Sequence, residues 1–162
     1  MENCKVLFIN RQVDVMKDFK HKLLAVMQHV VIVNRQGVLL LRYSNYQGQG
    51  VEGKWGLPGG HYKSGNPAAD LKREVEEETG LRLGGSPRLF KNYVVMFPDG
   101  VERYGVFYLY KLRSAARPVI SLSSEHTEYL WAGRQDLEIP FISPYHRLVV
   151  EEALESLNII NI

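Results

Sequence analysis

Apolar runs bounded by turn residues predict five β-strands from Gln28 onward. The first two runs flank Asn34–Gly37 and the next two flank Pro98-Asp99-Gly100, and both of these short segments favour tight turns. We therefore expect two antiparallel hairpins followed by one further strand. The predicted strands are Gln28–Val33, Val38–Tyr43, Arg88–Phe97, Val101–Leu112 and Thr127–Ala132.

Apolar residues at helical spacing predict two helices, each opened by a polar cap and a proline. Asn66 precedes Pro67, and Gly80 can end that helix in the left-handed conformation, so we expect a helix from Pro67 to Thr79. A second Ser-Pro pair, which begins at Ser143, opens another amphipathic helix. Strands interrupted by one helix and closed by another favour an α/β fold of the α+β type, with a mixed sheet between helices.

The segment before the first hairpin is a candidate N-terminal extension. Lys5–Ile9 is a short apolar run that predicts a strand, and Asp14–Val26 carries apolar residues at helical spacing. We therefore expect an extension over residues 1–26 and one domain over residues 27–162. The extension could cap the sheet or mediate a homodimer, and the sequence leaves both alternatives open.

Length and composition fit a protein with no nucleic-acid partner and no membrane partner. The chain has 162 residues, enough for a sizeable core, and its net charge of +2 is too small to indicate nucleic-acid binding. The single cysteine, Cys4, allows no disulfide within the chain and suits a reducing compartment. The sequence has neither an apolar run of about 20 residues nor a signal-peptide pattern, so we expect a cytoplasmic protein.

The first predicted helix carries acidic residues on one face. With about 100° between successive residues, Glu74, Glu77 and Glu78 point in similar directions. A solvated acidic face would explain them alone, but an apolar stripe adjoins them and the Gly59-Gly60 turn precedes the helix. Crowded carboxylates beside such a turn fit a divalent cation with oxygen ligands, Mg²⁺ or Mn²⁺. The apolar stripe comprises Ala68, Leu71 and Val75.

The stretch from Gly59 to Leu81 resembles the Nudix box, G-x5-E-x7-R-E-U-x-E-E-x-G-U, in which U is aliphatic. From Arg73 onward the chain matches this pattern at every fixed position. The first half departs from it, because the expected glutamate falls on Gly65 in one alignment and on Asn66 in another. The resemblance implies a Nudix-type α/β/α sandwich with a mixed sheet between helices.

The same resemblance implies a metal-dependent pyrophosphohydrolase. Nudix enzymes cleave a nucleoside diphosphate linked to another moiety, by attack of water on phosphorus. A small-molecule nucleotide is therefore the expected substrate, and Mg²⁺ or Mn²⁺ the expected cofactor. Arg73 lies four residues before Glu77 and can orient its carboxylate by a charge-assisted hydrogen bond. The implied metal ligands are Gly59, Glu74, Glu77 and Glu78.

Residues outside the box complete the candidate site. Glu125 lies in a stretch that resembles the S-E-H-x-x-Y-x-W pattern of some Nudix hydrolases, so we expect the general base to be Glu125 or a box glutamate. Trp55, Phe97 and Tyr104 are expected to bind substrate, because aromatic faces stack on nucleobases. Two alternatives stay open: a Nudix-fold module that binds a nucleotide without hydrolysing it, and a plain globular domain with a solvated acidic helix. The expected catalytic residues are Arg73, Glu77 and Glu125.

Overall fold

Two helices flank a mixed sheet in this computed structural model, which describes residues 25–45, 50–63, 65–96, 102–112 and 118–159. Seven strands form one sheet in the part of the chain so described. The strands are β1 (Ala25–Asn34), β2 (Gly37–Tyr43), β3 (Trp55–Gly56), β4 (Gly59–His61), β5 (Arg88–Met96), β6 (Glu102–Lys111) and β7 (His126–Ala132). The helices are α1 (Pro67–Thr79) and α2 (Pro144–Ile159), with a short 3-10 turn at Arg134–Asp136.

The predicted fold class, both hairpins and both helices are confirmed. β1 and β2 are antiparallel neighbours, as are β5 and β6. The sequence did not predict β3 and β4, which are short and rich in glycine. The strand β1 begins at Ala25, so Ala25 and Val26 belong to the sheet rather than to the helix predicted up to Val26. The other residues of the predicted extension, 1–24, lie outside the described residues.

The sheet opens between β1 and β2, and this opening positions the functional site. β1 runs parallel to β6 from Ala25 to Val33, but it pairs with β2 only at Val33 and Asn34. Nearer its start, at Met27–His29, β1 pairs with β4 instead, while β2 pairs with β3 and β7. The segment from β3 to β4 therefore fills the space where the two central strands separate.

Both faces of the central strands are covered, which explains their nearly continuous apolar sequence. Alternate residues of β1 and β2 point toward α2 and toward α1, and burying each such side chain contributes about 1.5–3 kcal/mol. None of the described helices is long and apolar enough to cross a membrane. The core on the α2 side includes Val31, Val33, Val38, Leu40, Phe107, Val149 and Val150. The core on the α1 side includes Val30, Ile32, Leu39, Leu41, Leu71 and Val75.

The caps of α1 follow the sequence prediction, whereas its buried face differs at one end. The Asn66 side chain accepts a hydrogen bond from the Ala69 N–H, and Gly80 adopts a φ of 70°. The predicted apolar stripe is wrong at Ala68, which is exposed. Asp70 is buried in its place and accepts a hydrogen bond from the Lys63 N–H at 2.9 Å. The stripe ends there because the helix packs on the loop after β4 rather than on the sheet.

Candidate active site

A cleft of about 240 Å³ lies at the end of the sheet where β1 and β2 separate. Three carboxylates line it, from Glu74 and Glu78 on α1 and from Glu125 in the loop before β7. The backbone of Gly59 and Gly60 forms another part of the wall. The structure thus brings together four predicted site residues, Gly59, Glu74, Glu78 and Glu125, although Glu125 is 47 to 51 positions away from the other two acids.

Gly60 allows the carboxylate of Glu74 to lie directly on the backbone of β4. A Cβ atom added to Gly60 would lie 3.2 Å from Cδ of Glu74 and 3.3 and 3.4 Å from its two carboxylate oxygens. The φ of Gly60 is not in the left-handed region, so this glycine is needed for space and not for backbone conformation. The Glu74 side chain is only 12% exposed.

Glu78 is buried, although the helical spacing places it on the same face of α1 as the exposed Glu77. It is 5% exposed, and its Oε2 atom accepts a hydrogen bond from the Gly59 N–H at 2.8 Å. Burial raises the pKa of Glu78 well above its ordinary value, and the charges of Glu74 and Glu125 raise it further, while the Gly59 hydrogen bond acts in the opposite direction. A carboxylate in this position would be stabilised by a nearby cation.

Arg73 connects two of the box glutamates. Its Nη2 donates to Glu74 Oε1 and its Nη1 donates to Glu77 Oε2, each at 2.7 Å. The hydrogen bonds to Glu74 and then to Glu77 raise the pKa of Arg73, which therefore stays charged. Glu77 itself is 55% exposed and lies beside the cleft rather than on its wall. The predicted contact between Arg73 and Glu77 is present.

Glu125 is held in place by the end of β2. Its carbonyl accepts a hydrogen bond from the Ser44 N–H at 2.9 Å, and the Ser44 hydroxyl donates to the Ser124 carbonyl at 3.0 Å. Burial raises the pKa of Glu125, as do the charges of Glu74 and Glu77, and the Lys63 charge partly offsets them. Its neighbour Glu128 is exposed and forms an ion pair with Arg42 at 2.7 Å. Glu125 and Glu128 therefore have different environments, although they lie only three residues apart.

The predicted aromatic residues are not grouped with the carboxylates. Trp55 is partly buried against the core beside α2 and forms a β-bridge with Phe141. Tyr104 lies on β6, opposite Val94 of β5. Neither Trp55 nor Tyr104 is on the wall of the cleft as the described residues define it. Phe97 lies outside the described residues.

The structure adds cleft residues that the sequence analysis did not single out. Tyr43, at the end of β2, packs its ring over Gly56 and lies 4.8 Å from the ring of His126. His29 on β1 lines the cleft, and its Nδ1 atom is 3.3 Å from the Leu57 carbonyl oxygen. Gly59 and Gly60, a turn in the sequence prediction, belong to strand β4, and Lys63 lies just after that strand and also lines the cleft. Only Lys63 could have been noticed from the sequence, because it lies in the loop of the box.

The donor chemistry of the cleft suits a hard divalent cation. Within the described ranges, no three His, Cys, Asp or Glu side chains converge closely enough to hold a metal ion as they stand. Protein groups hold the carboxylates instead, since Arg73 binds Glu74 and the Gly59 N–H binds Glu78. The three acids of the cleft nevertheless offer only oxygen donors. Burial raises the pKa of both Glu78 and Glu125, and repulsion from the neighbouring acids raises it further. A cation between these acids would relieve that repulsion.

Comparison with known proteins shows the family. Residues 24–153 match the model of the NUDIX domain, and the chain therefore belongs to the Nudix family. Among solved structures, a MutT protein from Methanosarcina mazei Go1 is similar, with 24% identity, a TM-score of 0.68, and coverage of 85% of this chain and 97% of that one. No curated protein sequence gives a significant match.

Two further solved structures share the fold. A MutT NUDIX hydrolase from Burkholderia pseudomallei has 24% identity and a TM-score of 0.66, with coverage of 80% of this chain and 98% of that one. The NUDIX domain of Shewanella oneidensis NrtR, solved in complex with ADP ribose, has 23% identity and a TM-score of 0.63, with coverage of 87% and 92%. At these identities the likeness establishes the fold.

Proposed function

We propose that the protein hydrolyses the pyrophosphate bond of a nucleoside diphosphate linked to another moiety, in a reaction that requires Mg²⁺ or Mn²⁺. The observation that carries this proposal is the convergence of Glu74, Glu78 and Glu125 on one cleft beside the Gly59-Gly60 backbone. Membership of the Nudix family supports it. The ADP ribose complex of the NrtR domain supports this class of ligand.

The metal would be held by the carboxylates of Glu74, Glu77 and Glu78 together with the Gly59 carbonyl. When bound, Mg²⁺ or Mn²⁺ neutralises phosphate oxygens, polarises phosphorus and lowers the pKa of a water. The glycines let backbone and carboxylates approach one another closely, because a Cβ atom at Gly60 would lie only 3.2–3.4 Å from the Glu74 carboxyl group and would push it aside. We infer that the Gly59-Gly60 backbone of β4 shapes the site as much as the acids do.

Arg73 would hold the carboxylates in place. It donates one 2.7 Å hydrogen bond to Glu74 and one to Glu77, so a single guanidinium group fixes the directions of both acids. A lysine could not replace this planar fork. The role of Arg73 is therefore to position Glu74 and Glu77 rather than to contact the reacting atoms.

Glu125 is the candidate general base outside the box, and a box glutamate is the alternative. It lines the cleft with Glu74 and Glu78, and its backbone is anchored to Ser44, so its carboxylate is presented from a fixed position. Burial raises its pKa, which brings the carboxylate closer to the range in which a base accepts a proton effectively. Glu128 lacks this environment because it is exposed and paired with Arg42.

A nucleotide-binding module without hydrolysis is the second candidate function. The first glutamate of the Nudix box is missing, and the two positions where it could fall have other roles. Gly65 adopts a φ of 84°, which favours glycine, and the Asn66 side chain caps α1. Neither residue can replace a carboxylate ligand. This departure leaves the fold intact but removes one acid of the family pattern.

The test is turnover on a panel of nucleotides. Wild-type protein would be incubated with ADP ribose, nucleoside triphosphates and a dinucleoside tetraphosphate, with Mg²⁺, with Mn²⁺ and with EDTA. The proposal expects release of a nucleoside phosphate from at least one compound with metal and none with EDTA. Calorimetric binding of the same compounds without turnover would favour the module. A cytoplasmic location and a homodimer stay predictions.

A further inference from the structure

Lys63 is the cation of the cleft. No other Lys or Arg among the described residues is on its wall. The Lys63 Nζ atom lies 3.4 Å from Oε1 of Glu74. Burial is the largest cause of the raised pKa of Glu125, and the Lys63 charge acts against it, so the ammonium group is close enough to influence both acids. Lys63 thus occupies the region where the carboxylates attract positive charge.

The backbone of Lys63 is fixed, whereas its side chain is free to move. The Lys63 N–H donates to Oδ2 of Asp70 at 2.9 Å, and Asp70 is only 3% exposed. The Lys63 side chain is 63% exposed and is held by one long contact to Glu74. A flexible four-carbon stem on a fixed backbone can move its charge by several ångströms without disturbing the fold.

We propose that Lys63 pairs with Glu74 when no divalent cation is bound, and that on metal binding it turns to a phosphate oxygen of the substrate. An ammonium group and a divalent cation cannot share Glu74 without strong repulsion. The displaced ammonium would stay beside the cleft, where a charge-assisted hydrogen bond to phosphate is its best available contact. The phosphate part of this inference rests on the proposed function, and the metal part does not.

The proposal predicts effects of opposite sign on two ligands. Removing the Lys63 charge should strengthen metal binding, because Glu74 loses a competing cation. The same change should weaken nucleotide binding, because a phosphate oxygen loses its partner. A lysine with only a structural role would weaken both or change neither. The combination of signs is therefore diagnostic of a charge that moves between the two ligands.

The experiment compares Lys63→Met with Lys72→Met in the full chain. Lys72 is on α1 but not on the cleft wall, so its replacement removes the same charge as a matched control. Mn²⁺ binding would be measured by calorimetry without nucleotide. We expect the Kd for Mn²⁺ to fall about two- to fivefold in Lys63→Met, the scale of a partly exposed ion pair, and to stay unchanged in Lys72→Met.

The second measurement uses ADP as the phosphate probe at saturating Mn²⁺. We expect its Kd to rise about tenfold in Lys63→Met, and Lys63→Arg to restore most of the affinity, because it keeps the charge. An unchanged or weaker affinity for Mn²⁺ in Lys63→Met would overturn the pairing with Glu74. An unchanged affinity for ADP would overturn the phosphate contact. If the wild type binds ADP but hydrolyses nothing, the proposed function fails, while both binding results still decide the role of Lys63.

Discussion

Replacing Gly60 by alanine tests whether the position of Glu74 matters for metal binding. The new methyl group would lie 3.2–3.4 Å from three atoms of the Glu74 carboxyl group, closer than the ordinary contact of about 3.5–4.0 Å. The backbone at Gly60 is compatible with alanine, so the only cost is a shift of the Glu74 carboxyl group by a few tenths of an ångström. An extra methyl group in a packed site destabilises a protein by roughly 1–3 kcal/mol. We expect a value at the lower end here, because the end of the Glu74 side chain can move.

We therefore expect Gly60→Ala to fold, with a free energy of unfolding within about 1 kcal/mol of the wild type. Its Mn²⁺ affinity should fall about tenfold, which corresponds to about 1.4 kcal/mol, because the displaced carboxylate no longer faces the ion correctly. Calorimetry with Mn²⁺ and urea unfolding of the metal-free protein measure the two quantities. A matching loss of kcat/KM is expected wherever the wild type has turnover.

Two other glycines serve as controls for this experiment. Gly85 has no atom within 4 Å of an added Cβ, so Gly85→Ala should change neither stability nor metal affinity. Gly59 has a φ of 140° and its added Cβ would overlap the Gln28 carbonyl, so Gly59→Ala should prevent correct folding. If Gly60→Ala binds Mn²⁺ as tightly as the wild type, the position of the Glu74 carboxylate over Gly60 is not the one in which it binds metal.

Three further predictions concern substrate, base and pH. Phe97→Ala should raise KM or change the preferred base, since stacking contributes about 1–3 kcal/mol per base, and an unchanged substrate ranking would mean that the base binds elsewhere. Glu125→Gln should lower kcat and shift the acidic limb of the pH–rate profile, whereas Glu128→Gln should do neither. Equally small effects of both changes would mean that a box glutamate is the general base. Burial, together with the charge of His29, lowers the pKa of His146, so below pH 6.5 the unfolded chain binds a proton there that the folded chain does not. The loss of unfolding free energy caused by His146→Phe, measured with urea, should therefore shrink by up to about 1.4 kcal/mol for each pH unit below 6.5. A loss that does not change with pH would contradict this.

Local signals predict the helices and the hairpins well. The bounds of α1 follow from Asn66, Pro67 and Gly80, because the cap, the first-turn proline and the left-handed stop each act within a few residues. The hairpin of β1 and β2 follows from a short turn between two apolar runs. In both cases the information that specifies the element lies inside the element.

Features that depend on distant parts of the chain could not be predicted. Helical spacing groups Glu74, Glu77 and Glu78, but only the approach of β4 and of the Glu125 loop decides that Glu78 is buried and that Glu77 is exposed. Tyr43 reaches the cleft because β1 and β2 separate beyond Val33, and no local pattern marks that separation. The family pattern supplied Glu125, since nothing in its own position links it to α1.

The most direct test of a metal-dependent site on α1 is the rate of Glu77→Gln compared with that of Glu76→Gln. Glu77 is exposed and binds Arg73, whereas its neighbour Glu76 is exposed and pairs with Arg82, so each change removes one surface carboxylate without altering the core. With the panel compound that the wild type cleaves best, at saturating Mg²⁺, Glu77→Gln should lower kcat at least ~100-fold and Glu76→Gln should leave it unchanged. Near-native turnover by Glu77→Gln would contradict the assignment.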